Sequence, residues 1–282
     1  MSLDAMAEEI WSAKLLQVFE DSHVYKLGTN QDYEDEIRAS AAVRIFTPAR
    51  PTTSAHTRDS TITYERLTPG EQIFIVDQRQ GWGIKVDSLE KHLAKGGGRM
   101  WEEEIQGGAF ELADDVDDFI RDLMAAGASS DNTLNARTLG IGAMVNNAYD
   151  LVVEMEVKLR KENAFGGWHF FAPPEFSGLL ARDERFTGFN TPDARRTIRG
   201  GIESVIRGFA YHETNNDPLS GTTHTIIAVS DKATTYGEQL SRLRFIEKTA
   251  GDRDERADSE LVFGGKVTRP NGIVKCAVQF AS

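Results

Sequence analysis

The sequence is poor in cysteine: among 282 residues only Cys276 carries a thiol. A disulfide within the chain is therefore excluded, and a zinc site would lack its other thiolates. One thiol without a partner fits a reducing compartment. Cys276 lies in an apolar stretch that alternates like a strand, so we predict an inert core thiol and not a nucleophile.

Long hydrophobic runs are also missing. No apolar stretch approaches the ~20 residues that a membrane-spanning helix needs. The first residues, "MSLDAMAEEIWSAKLLQVF", have no basic segment followed by an uninterrupted apolar run. We therefore expect neither a signal peptide nor a membrane anchor.

Positive charge is scarce, because 32 basic residues face 44 acidic ones and leave a formal net charge of −12. This balance opposes tight, non-specific binding to nucleic acid, so a nucleic-acid reader is not expected. The hydrophobic content of 40% is enough for a chain of this length to fold as one or two domains.

Motifs for catalysis or metal binding are absent from the sequence. The six histidines do not pair at the four-residue spacing that places two imidazoles on one metal, and "ADDVDDF" lacks the alternating ligands of a calcium loop. "KGGGR" lacks the spacing of a phosphate loop. We predict no catalytic, metal or cofactor residues. A serine, histidine and aspartate brought together by folding stay open, so a small hydrolase using residues 131–250 is a distant alternative.

Residues 44–78 are predicted to form a long β-hairpin. "AVRIF" reads as one strand, "STITYERL" alternates apolar and polar side chains, and "QIFIVDQ" follows a predicted turn at "TPGE". The polar segment between the strands has almost nothing to bury. A two-stranded hairpin is marginal in water unless it lies on another surface.

A long amphipathic helix is predicted over residues 99–126, after the glycine-rich segment 95–99. Its apolar positions recur every three or four residues, and residues 102–122 carry nine acids against one arginine, a net charge of −8. Gly107 and Gly108 mark the place where such a helix bends most easily.

The remaining segments predict a mixed α/β region and an N-terminal amphipathic helix at 4–20. We expect "GASSDNT" to be a linker, followed by a helix at 139–162, a strand and a helix in "GWHFFAPPEFSGLLARDERF", and strands at "SVIRGFAY", "HTIIAVS" and "RLRFIEK". A short helix is predicted around "TTYGEQL". The last strands are "SELVFGGKV" and "GIVKCAVQF".

The order of these parts resembles the major capsid protein of tailed bacteriophages. The stretches that carry the resemblance are "EEIWSAKLL", "STITYERLTPGEQIFIVDQRQGWGIKVD", "GWHFFAPPEFSGLLARDERF" and "ELVFGGKVTRPNGIV". The resemblance implies an α+β fold of the Hong Kong 97 type. By position it implies an N-arm at 1–43, an extended loop with flanking strands at 44–86, an axial domain at 131–250, and a peripheral domain at 87–130 and 251–282 that includes the spine helix.

The resemblance also implies a function without catalysis. The chain is expected to assemble through hexamers and pentamers into an icosahedral head around double-stranded phage DNA, in the virion, after assembly in the bacterial cytoplasm. Expected partners are other copies of the chain, a separate scaffolding protein, a portal and a cement protein. Some members join the loop covalently to a neighbour through a lysine, but no lysine occurs between Lys26 and Lys85. An encapsulin-like nanocompartment is the nearest alternative.

In this family the extended loop lies on a neighbouring subunit, which suggests an electrostatic contact. Residues 44–70 hold four arginines against two acids, a net charge of +2, opposite in sign to the helix. We therefore predict that the loop arginines approach helix acids of the next subunit; the proposed residues are Arg44, Arg50, Arg58, Arg66, Glu104, Glu111, Asp114 and Asp118. Gly107 and Gly108 are the proposed hinge. Arginines that merely keep the loop soluble are the other interpretation.

Overall fold

The structure is a computed structural model that describes most of the chain. The described residues are 23–33, 42–47, 49, 51–53, 55–56, 58, 61–62, 64–87, 97–141, 147–183, 205–240, 243–246 and 254–281. The helix predicted at 4–20 lies outside them. None of the helices within these ranges is long and apolar enough to cross a membrane.

Two larger sheets, a small two-stranded sheet and three α-helices make up the described fold. The strands before the long helix α1 (Gly97–Gly127) are β1 (Ala42–Thr47), β2 (Gly70–Ile75) and β3 (Gln78–Asp87). After it come β4 (Thr133–Leu139), α2 (Ala148–Lys161), β5 (Trp168–Ala172), α3 (Pro174–Ala181), β6 (Val205–Ile206), β7 (Phe209–Glu213), β8 (Leu219–Ser220), β9 (Thr223–Ser230), β10 (Thr234–Leu240), β11 (Arg244–Ile246), β12 (Asp254–Val267) and β13 (Ile273–Phe280).

A seven-stranded mixed sheet forms the first body, in the order β4-β13-β9-β5-β7-β6 with β8 paired to β9. Consecutive strand residues point to opposite faces, so Phe170 joins the core under α2 and α3 while Phe171 joins the core that contains α1. Cys276 is buried among the apolar residues of the first core, as predicted. Burial raises the pKa of its thiol, which disfavours the reactive thiolate.

The second sheet is built around the 14-residue strand β12. Strand β3 pairs with one edge of β12, and β10 and β11 pair with the other edge. Alternate residues of β12 are buried, among them Leu261 and Phe263, which pack with the buried face of α1. Helix α1 therefore lies between the two sheets and supplies apolar side chains to both.

The long-helix prediction is confirmed, since α1 has 31 residues and extends over about 46 Å. It begins two residues before the predicted start and ends one residue after the predicted end. Its buried positions include Ile105, Ala109, Leu112, Val116 and Ile120, the three- and four-residue spacing that the sequence showed. The helix continues through the glycine pair without a break.

The hairpin prediction is correct in its ends and wrong in its middle. Strand β1 pairs antiparallel with β2, from Ala42 opposite Ile75 to Thr47 opposite Gly70. The strand expected in "STITYERL" and the turn expected in "TPGE" are not present among the described residues of that segment, which form no regular structure before Gly70. Their alternation needs a neighbouring strand to pair with, and the described residues offer none there.

Three other segments differ from the sequence-based expectations. The segment "GASSDNT", expected as a linker, ends in the first residue of β4. The helix expected from residue 139 begins at Ala148 instead. Asn147 caps this helix by accepting a hydrogen bond from the Tyr149 amide at 2.7 Å. The helix expected at "TTYGEQL" is strand β10. "SVIRGFAY" forms two short strands joined by a two-residue turn in which Arg207 and Gly208 both have positive φ. Pairing with β13 makes β4 a strand, and pairing with β12 makes β10 a strand.

Candidate interaction surfaces

The small sheet of β1 and β2 has one covered face and one bare face. On the covered face Val43, Ile45 and Phe74 are buried and form a cluster with Tyr33 and Val76. On the bare face the exposed fractions are 63% for Phe46, 48% for Ile73 and 53% for Ile75. A two-stranded sheet with a bare apolar face is incompletely stabilised by its own chain.

The segment between these strands adds further exposed apolar side chains. Ile62, Tyr64 and Leu67 are all exposed, and Tyr64 retains 90% of its accessible surface. We call the six residues Phe46, Ile62, Tyr64, Leu67, Ile73 and Ile75 the loop surface. Scattered apolar residues are normal on proteins, but six exposed ones within residues 46–75 indicate a contact site.

The base of the loop is fixed although its surface is bare. Gly264 of β12 lies so close to the end of β2 that a Cβ there would be 2.4 Å from the Ile75 carbonyl oxygen and 2.8 Å from Val76 Cα. Gln72 Nε2 also donates a hydrogen bond to the Thr268 carbonyl oxygen at 3.3 Å. Glycine is therefore required at position 264, the first glycine of "VFGGKV", because the backbone of the loop base leaves no room for a Cβ.

The proposed loop arginines have different surroundings. Arg44 forms an exposed ion pair with Glu71 of its own hairpin at 3.0 Å. Arg50 lies outside the described residues. Arg58 and Arg66 are exposed, and neither forms an ion pair with any residue that the structure describes. Arg58 and Arg66 are therefore available to a second chain, whereas Arg44 is occupied.

Two of the four proposed helix acids bind within their own chain. Asp114 accepts a hydrogen bond from Asn216 Nδ2, and Asp118 accepts one from Arg121. Arg121 Nη1 also donates to the Asn216 carbonyl oxygen at 3.0 Å. Desolvation raises the pKa of Asp118, although Arg121 partly opposes this. These side chains join α1 to the loop before β8.

The other two acids are available for a second chain. Glu111 is exposed and makes no ion pair within the described part of the chain. Glu104 is partly buried, and its Oε2 atom is buried without a hydrogen-bond donor among the residues that the structure describes. A buried carboxylate oxygen without a donor costs free energy, so this position favours an incoming cation.

The two proposed hinge glycines are not equivalent. A Cβ on Gly107 would meet no atom within 4 Å. A Cβ on Gly108 would lie 2.6 Å from Cδ2 of the Trp82 indole on β3. Gly108 therefore has a packing role that the sequence did not reveal, and Gly107 is the position where the helix carries a glycine that no neighbour requires.

Asp117 has a role that the sequence analysis missed. We expected the acids of "ADDVDDF" on a solvated or partner-facing helix face, but Asp117 is only 2% exposed. Its carboxylate accepts hydrogen bonds from the Val24 amide at 2.6 Å and the Tyr25 amide at 3.2 Å. Asp117 thereby anchors residues 23–28 to α1. No local pattern distinguishes it from the acids beside it.

The histidines do not form a metal site among the described residues, where no group of three or more metal-binding side chains occurs. His169 Nδ1 and His212 Nε2 are 3.0 Å apart, and burial lowers the pKa of both rings, that of His212 to about 4. His224 binds Asp217 at 2.8 Å, but no serine or cysteine of the described region hydrogen-bonds to His224. The arrangement gives the hydrolase alternative no support.

Comparisons with known proteins agree with the fold described above. No family model and no curated protein sequence matches the chain. Among solved structures, that of Mycobacterium phage Che8 is 21% identical with a TM-score of 0.72, over 90% of both chains. The capsid of Ralstonia phage GP4 is 13% identical with a TM-score of 0.64, over 90% of this chain and 87% of that chain.

A third likeness is to an encapsulin complex. An encapsulin complex from Synechococcus elongatus is 12% identical with a TM-score of 0.54, over 86% of this chain and 85% of that chain. All three similarities span most of the chain, and at such identities a likeness in structure establishes the fold alone. The chain has the α+β Hong Kong 97-type fold.

Proposed function

We propose that this chain is the major capsid protein of a tailed bacteriophage. The observation that carries the proposal is the loop surface, whose base is fixed on β12 while its six apolar side chains stay uncovered. Burying a large apolar side chain contributes about 1.5–3 kcal/mol, so covering this surface provides a strong drive to associate. The covering partner in the proposal is a second copy of the chain, as in the fold's shell-forming members.

The same contact, repeated on every subunit, closes a shell. In this proposal copies form hexamers and pentamers that tile an icosahedral head around duplex DNA, and the chain has a structural role without catalysis. Each loop contact is modest alone, but a closed assembly repeats it many times. Assembly takes place in the bacterial cytoplasm with a separate scaffolding protein, a portal and a cement protein, and the product is the virion capsid.

The net charge is consistent with a container for DNA. A chain of formal charge −12 is not attracted strongly to phosphates, so packed duplex can move past it. The loop cannot join a neighbour through a lysine side chain, because none occurs between Lys26 and Lys85. The shell in this proposal is therefore held by non-covalent contacts.

Charge complementarity positions the loop on the neighbouring helix. Arg58 and Arg66 are the available loop cations, and Glu104, whose Oε2 atom lacks a donor among the described residues, is the helix acid assigned to them. Each exposed pair contributes about 0.2–1 kcal/mol, whereas a pair at the partly buried Glu104 contributes more because its carboxylate is already desolvated. Helix bending at Gly107 would accompany any change in shell shape.

The charge hypothesis can be tested by reversing the free arginines. Arg58→Glu combined with Arg66→Glu should reduce assembly and remove most of its salt dependence. Arg44→Glu is the matched control, because Arg44 already pairs within its own hairpin. If the double variant assembles with the salt dependence of the wild type, the pairing is wrong while the capsid function still stands.

An encapsulin-like compartment is the second candidate, because the similarity to the encapsulin complex covers 86% of this chain. The higher TM-score of 0.72 belongs to a phage protein, which favours the capsid. To separate the two functions, the chain is co-expressed with packaging proteins and the content of the purified particles is identified. Particles that contain one enzyme and no DNA would favour the encapsulin function.

Cryo-electron microscopy of the chain expressed together with its neighbouring genes tests the proposal directly. The expected result is an icosahedral lattice in which residues 44–78 cross onto the next subunit. In that lattice the next subunit buries Phe46, Tyr64 and Ile73. A stable monomer with the loop surface still exposed would refute the capsid function.

A further inference from the structure

Three exposed cations lie together at one end of the second sheet. They are Lys232, Lys266 and Arg269, which we call the basic corner. The amide of Arg269 donates to the Ala233 carbonyl oxygen at 3.1 Å, and Lys266 pairs in register with Thr235 of the adjacent strand. The turn before β10 and the end of β12 therefore bring the backbones of the three exposed residues close together.

The basic corner has no counterion among the residues that the structure describes. None of the three cations forms an ion pair or a side-chain hydrogen bond with the residues that the structure describes. Two acids beside it are engaged elsewhere. The carboxylate of Asp231, which precedes Lys232, accepts from the Gly167 amide at 3.0 Å, and the Glu162 carboxylate accepts from Asn271 Nδ2, two residues after Arg269, at 2.9 Å.

Cations elsewhere on this sheet are paired. Its outer face carries three cross-strand ion pairs, which join Arg79 to Glu260, Lys85 to Asp254, and Arg244 to Asp258. The chain as a whole has more acids than bases. A cluster of three unpaired cations is therefore an exception in this molecule and calls for an anionic partner.

The backbone under the basic corner is held firmly. Thr268 donates its amide to the Ala233 carbonyl oxygen at 2.9 Å and its hydroxyl to the Lys232 carbonyl oxygen at 3.3 Å. Val267 packs against the end of α1, since a Cβ on Gly127 would lie 2.4 Å from its Cγ2. A site with a fixed backbone loses little conformational entropy when a partner binds.

Exposed acids that could receive the basic corner lie on α1. Glu111 and Asp115 are one helical turn apart, both exposed, and neither has an ion-pair partner in the described part of the chain. From Asp115 to Gly127, which packs against Val267 beside the basic corner, α1 extends about 18 Å. This exceeds the screening length of about 8 Å at physiological salt, so the two sites do not neutralise each other within one chain.

We propose that the basic corner of one copy binds the acidic surface around Glu111 and Asp115 on α1 of a second copy. The two surfaces differ, so the contact is head-to-tail, the kind that builds rings and extended lattices. This inference rests on the proposed self-assembly and adds a contact separate from the loop surface. Its electrostatic character makes the assembly rate and its salt dependence the quantities to measure.

The test is a charge reversal followed by a charge swap. The triple variant Lys232→Glu, Lys266→Glu, Arg269→Glu should slow particle formation about tenfold at low salt. Adding Glu111→Lys and Asp115→Lys to it should restore the rate. Lys161→Glu is the matched control, an exposed cation without an ion pair in the described residues. Light scattering follows assembly, and circular dichroism confirms folding of each variant.

Each outcome decides the proposal. If the triple variant folds poorly, the double variant Glu111→Lys, Asp115→Lys is tested alone and should slow particle formation to the same extent. Particle formation at the wild-type rate by that double variant overturns the proposal. A triple variant that assembles at the wild-type rate overturns the head-to-tail contact but leaves the capsid function intact. Normal shells with altered DNA content would assign the basic corner to duplex and also overturn it. A wild-type chain that stays monomeric when it is expressed together with its neighbouring genes overturns both proposals.

Discussion

Replacing Gly264 with alanine tests whether the base of the loop is set by backbone contact. The new Cβ would lie 2.4 Å from the Ile75 carbonyl oxygen and 2.8 Å from Val76 Cα, whereas ordinary contacts are 3.4–4 Å. Strand β12 is paired on both edges at this level or just before it, so the strand cannot retreat. The loop base must therefore move by about 1 Å, and overpacking of this kind costs about 1–3 kcal/mol.

The adjacent glycine provides the matched control. A Cβ on Gly265 would meet Cδ2 of Leu123 at 2.6 Å, which is the end of a flexible side chain, and Phe119 Cε1 at 3.0 Å. Gly265→Ala should therefore cost less, about 0–1.5 kcal/mol, and should leave the loop in place.

Urea unfolding and an assembly assay together separate the two effects. We expect Gly264→Ala to lower both the free energy of unfolding and the yield of particles, because the loop surface is displaced. Gly265→Ala should lower the free energy of unfolding only. Equal assembly yields for the two variants would refute the claim that Gly264 positions the loop.

Three further predictions concern single sites. Gly107→Ala should raise the free energy of unfolding by about 0.5–1 kcal/mol through helix propensity, whereas Gly108→Ala should lower it because the new Cβ would clash with the Trp82 indole. Equal changes for the two variants in urea unfolding would contradict the assigned packing. Asp117→Ala should lower the free energy of unfolding by about 2–4 kcal/mol, since one buried and one partly buried amide lose their acceptor, and an unchanged urea midpoint would contradict this. Because burial depresses the folded pKa of His212 to about 4, its contribution to stability is present above pH 6.5 and is lost as pH falls from 6.5 towards 4. After allowance for exposure the loss is about 1–2 kcal/mol. His212→Gln should reduce the difference between urea unfolding at pH 7 and at pH 4.5 without removing it, because burial also lowers the pKa of His169, and an unchanged difference would contradict this.

The proposed site was predictable in part from the sequence. Charge counting found the positive loop and the negative helix, and it identified Arg58, Arg66 and Glu111, which the structure leaves without ion-pair partners in the described residues. It could not separate them from Arg44 and Asp118, which bind within the chain. Pairing within a fold depends on three-dimensional neighbours, and composition contains no information about them.

Periodicity alone determined the elements whose own residues supply their partners. Helix α1 was predictable because its hydrogen bonds are local and its apolar stripe repeats over 31 residues. Strand β13 was predictable from alternation around Cys276. The single cysteine, the acidic balance and the absence of long apolar runs likewise needed only the sequence.

The tertiary structure decided the rest, because strand pairing and close packing join residues that are distant in the chain. It made "TTYGEQL" a strand by pairing it with β12, and left "STITYERL" without a partner and therefore without regular structure in its described residues. It placed Gly108 against Trp82 and Gly264 against the Ile75 carbonyl oxygen, where a Cβ would be too close. It also buried Asp117, whose carboxylate accepts hydrogen bonds from two backbone amides. Hydrogen bonds and van der Waals contacts act over a few ångströms in space, and only the folded chain sets those distances.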